Sequence, residues 1–127
     1  MSFIDLPLGD TKIPEPLPEG MYDLRIVSAE PAIKADKGRT DIQIRLEVIG
    51  VPEAESIFEH LIGIAPGDEA DTRNFKLRRI LGFLEAFHVP YGGNGFSLED
   101  LPGREGHVKV KQEEYEGSTR NKIGYRW

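Results

Sequence analysis

The chain of 127 residues contains no cysteine. That excludes a disulfide framework and a thiolate zinc site, and it fits a reducing compartment. No stretch approaches the ~20 apolar residues of a membrane-spanning helix. The opening MSFIDLPLGDTKIPEPLPEG has neither a basic start nor a long apolar run, so it does not read as a secretory signal. A soluble, cytoplasmic protein with no membrane partner is expected. Recognisable chemistry is also missing. There is no cysteine nucleophile, no G-x-S-x-G elbow and no glycine-rich phosphate loop leading into a helix. His60, His88 and His107 are far apart and have no metal-ligand spacing. Asp68, Glu69 and Asp71 lack the spacing of a calcium loop and suit a helix start instead. A non-enzyme without cofactor or metal is therefore expected. Finally, positive charge is scarce overall. The net charge of -6 argues against a nonspecific duplex binder.

What the chain does have is segregated charge and regular alternation. Residues 53–71 hold six acids and no Lys or Arg, whereas residues 73–79 hold Arg73, Lys76, Arg78 and Arg79 and no acid. The last ten residues hold Arg120, Lys122 and Arg126, again without an acid. A locally positive groove on an acidic protein is compatible with this distribution.

Residues 1–19 carry Pro7, Pro14, Pro16 and Pro18 and read as an extended arm, with Phe3, Ile4, Leu6 and Leu8 available to lie on the domain or on a second copy. Residues 20–127 read as one domain. Its first strand runs from Gly20 to Ser28, with Tyr22, Leu24 and Ile26 inward, and Pro31 ends it. A basic loop with Lys34, Lys37, Gly38 and Arg39 follows. The second strand is Asp41–Ile49, with Ile42, Ile44, Leu46 and Val48 on one face and Asp41, Gln43, Arg45 and Glu47 on the other. The run Ile57–Ile64 is apolar on both parities, so it reads as a largely buried or bulged strand. An amphipathic helix is expected over Thr72–Phe87, capped at Asp71 or Thr72. Its stripe comprises Phe75, Leu77, Ile80, Leu81, Leu84 and Phe87, and Pro90 with Gly92-Gly93 stops it. Two basic strands close the chain, Gly106–Lys111 and Thr119–Trp127, joined by a hairpin at Glu114-Tyr115-Glu116-Gly117.

Three strands, one helix and two strands is the element order of an OB-fold, a five-stranded Greek-key barrel with its α-helix between strands 3 and 4. Such barrels bind ligands on the face of strands 2–3 and on the loops joining strands 1–2 and 4–5. Those regions carry Lys34, Lys37, Arg39 and Arg45, and then Lys109, Lys111, Tyr115, Arg120 and Lys122. Cationic groups neutralise phosphates and rings stack on bases, so this set suits a single strand. Charged residues on strand edges also serve simply to discourage edge pairing. Tyr22, Phe75, Phe83 and Phe87 read as core. Phe58 fits either the core or a stacking platform, and Tyr115 fits stacking.

Several segments resemble small phage single-stranded DNA-binding proteins. They are Leu17–Ile26, the basic turn leading into Asp41–Ile49, Ile57–Leu61, the helix Phe75–Phe87, and Gly103–Lys111 continuing through Glu113–Ile123. The resemblance covers about residues 17–125. It implies an OB-fold, single-stranded DNA as partner, and a place in phage replication or recombination beside proteins of those processes. It supports Lys109, Lys111, Tyr115, Arg120 and Lys122, along with Lys34, Lys37, Arg39 and Arg45. The family's flexible acidic tail has no counterpart in the ending Gly124-Tyr125-Arg126-Trp127, so recruitment through a tail is not carried over. The alternative expectation is a non-catalytic interaction or structural module of a phage assembly or replication complex. A third, oligosaccharide binding, would require exposed aromatics without basic loops.

Overall fold

The computed structural model describes residues 2–10 and 15–124. Five strands form one antiparallel sheet: β1 (Gly20–Lys34), β2 (Arg39–Val48), β3 (Ile57–Leu61), β4 (Glu105–Tyr115) and β5 (Ser118–Ile123). Helix α1 (Ala70–Ala86) lies between β3 and β4 in sequence. The strand order is β3-β2-β1-β4-β5. The mainly β expectation with one helix after the third strand therefore holds. The sheet is curled rather than closed. Its edge strands β3 and β5 approach within 8 Å between Cα atoms, but among the described residues no ladder joins them. Among the described residues no helix is long and apolar enough to cross a membrane.

β1 does not stop at Ser28 as expected but continues through Pro31. Two features permit this. The register with β2 shifts between Ile26 and Ser28, leaving Val27 as an extra residue. Beyond Arg25, moreover, β4 no longer pairs with β1, so Pro31 lies in an edge segment where a missing N–H is tolerated. The bulge changes which parity faces the core. Leu24 and Ile26 point inward before it, and Ala29, opposite Ile44, does so after it. The backbone at the bulge is satisfied by the loop before β4. The Ile26 N–H donates to the Arg104 carbonyl, and the Gly103 N–H donates to the Ile26 carbonyl, both at 2.8 Å.

The core lies between the inner sheet face and the second half of α1. Leu24, Ile44, Leu46, Ile57, Leu61 and Val110 meet Phe83, Leu84 and Phe87 there. Phe83 and Phe87, one helical turn apart, stack with ring centroids 4.6 Å apart. Gly106 sits under the helix end, because a Cβ at that position would come 2.5 Å from the Ala86 carbonyl oxygen. His88, with φ of 57°, turns the chain out of the helix two residues before Pro90.

Other expectations need correction. Only the C-terminal half of the helix stripe is buried; Phe75, read as core, is 61% exposed, and Leu77 and Leu81 are also exposed. The helix begins at Ala70 with Glu69 as N-cap and no side-chain cap bond, not at Asp71 or Thr72. The preceding turn is held instead by Asp68, whose carboxylate accepts from the Lys76 ammonium at 2.7 Å and the Ala65 N–H at 2.9 Å. β3 is shorter than expected and cleanly one-sided. Ile57, Glu59 and Leu61 face inward, and Phe58 and His60 face outward. Only one of its faces meets the core because, among the described residues, no element packs over the other. β5 ends at Ile123, and the expected strand residues Tyr125, Arg126 and Trp127 lie outside the described residues.

The arm is partly tied down. The Asn121 side chain accepts from the Leu17 N–H at 2.8 Å and donates to the Leu17 carbonyl at 2.9 Å, and Gln112 donates to that carbonyl at 2.8 Å. Phe3, Ile4, Leu6 and Leu8 are exposed.

Phe83 is fully buried, so Phe83→Ala should destabilise the fold by about 3–5 kcal/mol. Urea unfolding should show a lower midpoint at unchanged slope.

Candidate nucleic-acid interface

The outer face of β2 and β3 is built by alternation. Gln43 stands opposite His60 and Arg45 opposite Phe58 in the ladder, so all four side chains leave the same side of the sheet. Phe58 is 68% exposed. Of the two readings of this residue, the structure supports the outward one. Arg45 donates through Nε to Ser56 Oγ at 3.0 Å, which orients its guanidinium beside the ring. Across the opening between β3 and β5, Arg120 faces Phe58. A depression of about 350 Å³ lies there, lined by Gln43, Phe58, His60 and Arg120, with Ile44 and Glu59 at its floor. A second of about 140 Å³ continues past Phe58 and Arg45 to Ser28 and Glu30 of β1.

The β4–β5 hairpin supplies the other wall. Tyr115 pairs with Ser118, leaving Glu116 and Gly117 as a two-residue turn, both with positive φ (50° and 82°), as a type I′ hairpin turn requires. Arg120 lies over the Tyr115 ring, 4.0 Å from its centroid, a cation–π contact. Arg120 Nε also donates to Glu113 Oε1 at 2.8 Å, and Lys122 Nζ stands 3.1 Å from Glu113 Oε2. These bonds, from Lys122 first and then Arg120, hold the Glu113 carboxyl below its ordinary range. Two expected phosphate-binding cations thus share one carboxylate. Lys111 lies directly opposite Lys122, with its stem against Gly124. Lys109 stands farther along β4, opposite Met21 of β1, and is half-buried.

The third group is the tip of the β1–β2 hairpin. Lys34 pairs with Arg39, Lys37 is exposed on a short 3-10 turn, and Gly38 closes the tip with φ of 65°. Arg39 is not free. Its Nε donates to Asp41 Oδ1 at 3.0 Å, and only 18% of its side chain is exposed.

Asp41 is the residue the sequence reading placed wrongly. It belongs to the outward parity of β2 yet is fully buried. Its carboxylate accepts from the Gly63 N–H at 2.8 Å and from Arg39, and His60 Nε2 lies 2.8 Å from Oδ2. Gly63 makes this possible, because a Cβ there would collide with the Thr40 carbonyl. Burial pushes the Asp41 carboxyl up, but the bonds from Gly63, His60 and Arg39 outweigh it and hold the group at about 2, against an ordinary 3.8. Alternation alone labels Asp41 as solvated. The nearest sequence signal is a carboxylate two residues from an arginine with a glycine just beyond the next strand, which is weak.

The ten expected residues therefore fall into three groups. Arg45, Phe58 and Arg120 line the two depressions, with Tyr115 under Arg120 and Lys122 sharing Glu113 with it. Lys34, Lys37 and Arg39 sit together at the hairpin tip, and Lys109 and Lys111 lie on outer β4. Gln43, His60, Asp41 and Glu113 were missed. Among the described residues no cluster of three or more His, Asp or Glu side chains is placed to hold a metal ion. The sequence matches no family model and none of the curated proteins compared with it.

Because the folded Asp41 carboxyl lies below its unfolded value, its stabilisation is present above about pH 4 and lost as pH falls towards 2. Asp41→Asn should lower stability near neutrality and flatten the acid limb over that window in urea titrations. An acid limb identical to that of the parent would assign it to other groups.

Proposed function

We propose that this chain is a non-catalytic single-stranded DNA-binding protein of the OB-fold type, acting in the host cytoplasm in phage replication or recombination. The observation that carries the reading is Phe58, a large ring 68% exposed on the outer face of β3, with Arg45 on one side and Arg120 on the other. An exposed ring between guanidinium groups offers what an unpaired strand requires, a stacking surface for a base and donors for its phosphates. The strand order supports the fold assignment. A sheet ordered β3-β2-β1-β4-β5 whose edges β3 and β5 approach each other is compatible with an OB barrel left open at one seam, since OB-folds are partly open. The face of strands 2–3 is where such barrels take ligands, and the loop joining strands 1–2, here the basic tip with Lys34 and Lys37, is another such region.

A second reading is a protein-interaction module. It is favoured by the net charge of -6 and by the exposed Phe3, Ile4, Leu6 and Leu8 of the arm, which suit contact with a second copy or with a replication or recombination protein.

Fluorescence anisotropy with a labelled single strand of about 30 thymidines, against a duplex of equal length at two salt concentrations, separates the two. The single strand should bind tightly and lose affinity as salt rises, and the duplex should bind weakly. Phe58→Ala should weaken single-strand binding by about 5- to 150-fold, the equivalent of one lost stacking contact. Absence of single-strand binding at low salt, with self-association in light scattering, would favour the interaction module.

A further inference from the structure

The groove beside Phe58 contains more than a ring and cations. Its wall between β2 and β3 is polar and ordered. Gln43 and His60 are ladder partners and both line the depression. Phe58 shares their face of the sheet, two residues before His60. The volume of about 350 Å³ exceeds what a base alone occupies.

The His60 ring is oriented from behind. Asp41 is buried, and its carboxylate accepts from Gly63 and Arg39, leaving Oδ2 2.8 Å from His60 Nε2. A carboxylate held by two other donors acts as the acceptor in that contact. A neutral His60 ring therefore carries its proton on Nε2, and its Nδ1 presents a lone pair. The Gln43 amide oxygen, directly across the ladder, is a second acceptor. Two acceptors beside a stacking ring complement an exocyclic amino group. Cytosine, adenine and guanine have one on the pairing edge and thymine does not.

We propose that the depression between β3 and β5 is a single-nucleotide slot in which Phe58 stacks on the base, Arg120 takes the phosphate, and Gln43 with His60 accepts from an exocyclic amino group, which every base but thymine carries. The slot rests on the single-strand reading and adds a base preference to it. Asp41 is a positioning residue here, since it reaches the ligand only through His60.

The test compares strands of about 30 deoxycytidines and 30 thymidines by anisotropy at pH 8. Both bases are pyrimidines; cytosine has an amino group at position 4 where thymine has a carbonyl, and thymine adds a 5-methyl group, so the preference is assigned to the amino group only where the Gln43 and His60 variants lose it. The parent chain should prefer the cytidine strand by about 3- to 10-fold, the worth of one or two neutral hydrogen bonds. Gln43→Ala should reduce that preference. Gln43 is exposed, so this variant is expected to fold. His60→Ala should reduce the preference as well. Both should leave thymidine binding within about 2-fold, whereas Phe58→Ala weakens both strands alike. Equal affinity of the parent for the two strands, or an unchanged preference in both variants, overturns the slot while leaving single-strand binding intact. Failure of the parent to bind either strand overturns the single-strand reading, and the slot with it.

Discussion

β1 has to pair with two strands that do not lie level with each other. Its first six residues face β4, and its last eleven face β2. A flat strand would carry the same parity along its length and hold β2 and β4 in one plane. The extra residue at Val27 removes that constraint. A bulge bends its strand and increases the local twist, so the two halves of β1 present their inner side chains to one core from different directions. The sheet curls around that core as a result. The edges β3 and β5 are brought near one another, and Phe58 and Arg120 line the same depression there. The groove is thus a product of a kink on the strand farthest from it in the sheet order.

The cations at this surface are held by anions of the same chain. Glu113 takes Arg120 and Lys122, and Asp41 takes Arg39 and contacts His60. The two carboxylates differ in consequence. Glu113 is on the surface, where ion pairs are screened and exchange readily with another anion. In the proposed single-strand reading a phosphate would take its place, and the carboxylate holds Arg120 over Tyr115 beforehand. Asp41 is dry and triply coordinated. It cannot be exchanged without leaving a buried charge unsatisfied, so it sets geometry and does not take part in exchange. A protein of net charge -6 thereby carries ordered cationic groups without a broad positive field.

How far the sequence could be read depended on how local each determinant was. The alternation of Ile44, Leu46 and Val48 announces β2 because a period of two has no other cause. The hairpin at Glu116-Gly117 and the helix ending near His88 follow from nearby residues. Phe75 misled because helical periodicity marks a face without saying how much of its length meets the sheet; only the stretch from Ile80 onward does. Phe58 was divided between two roles because both parities of β3 are apolar, and only the absence of a covering layer decides. Asp41 was illegible for the same reason at longer range. Its burial depends on Gly63 approaching Thr40, a contact between segments that no local pattern links.

The clamp on Leu17 has a mechanical consequence. Asn121 and Gln112 bind both backbone groups of a single residue, so Leu17 acts as a sixth strand one residue long, anchored to the hairpin that forms one wall of the groove. A pull on the N-terminus is resisted first by those three hydrogen bonds and only afterwards by the β1 ladders. Load taken up by the exposed apolar arm is therefore delivered to β5 and its neighbour β4 as well as to the core against which Leu17 packs. The arm is thereby tied through Asn121 to the strand that carries Arg120.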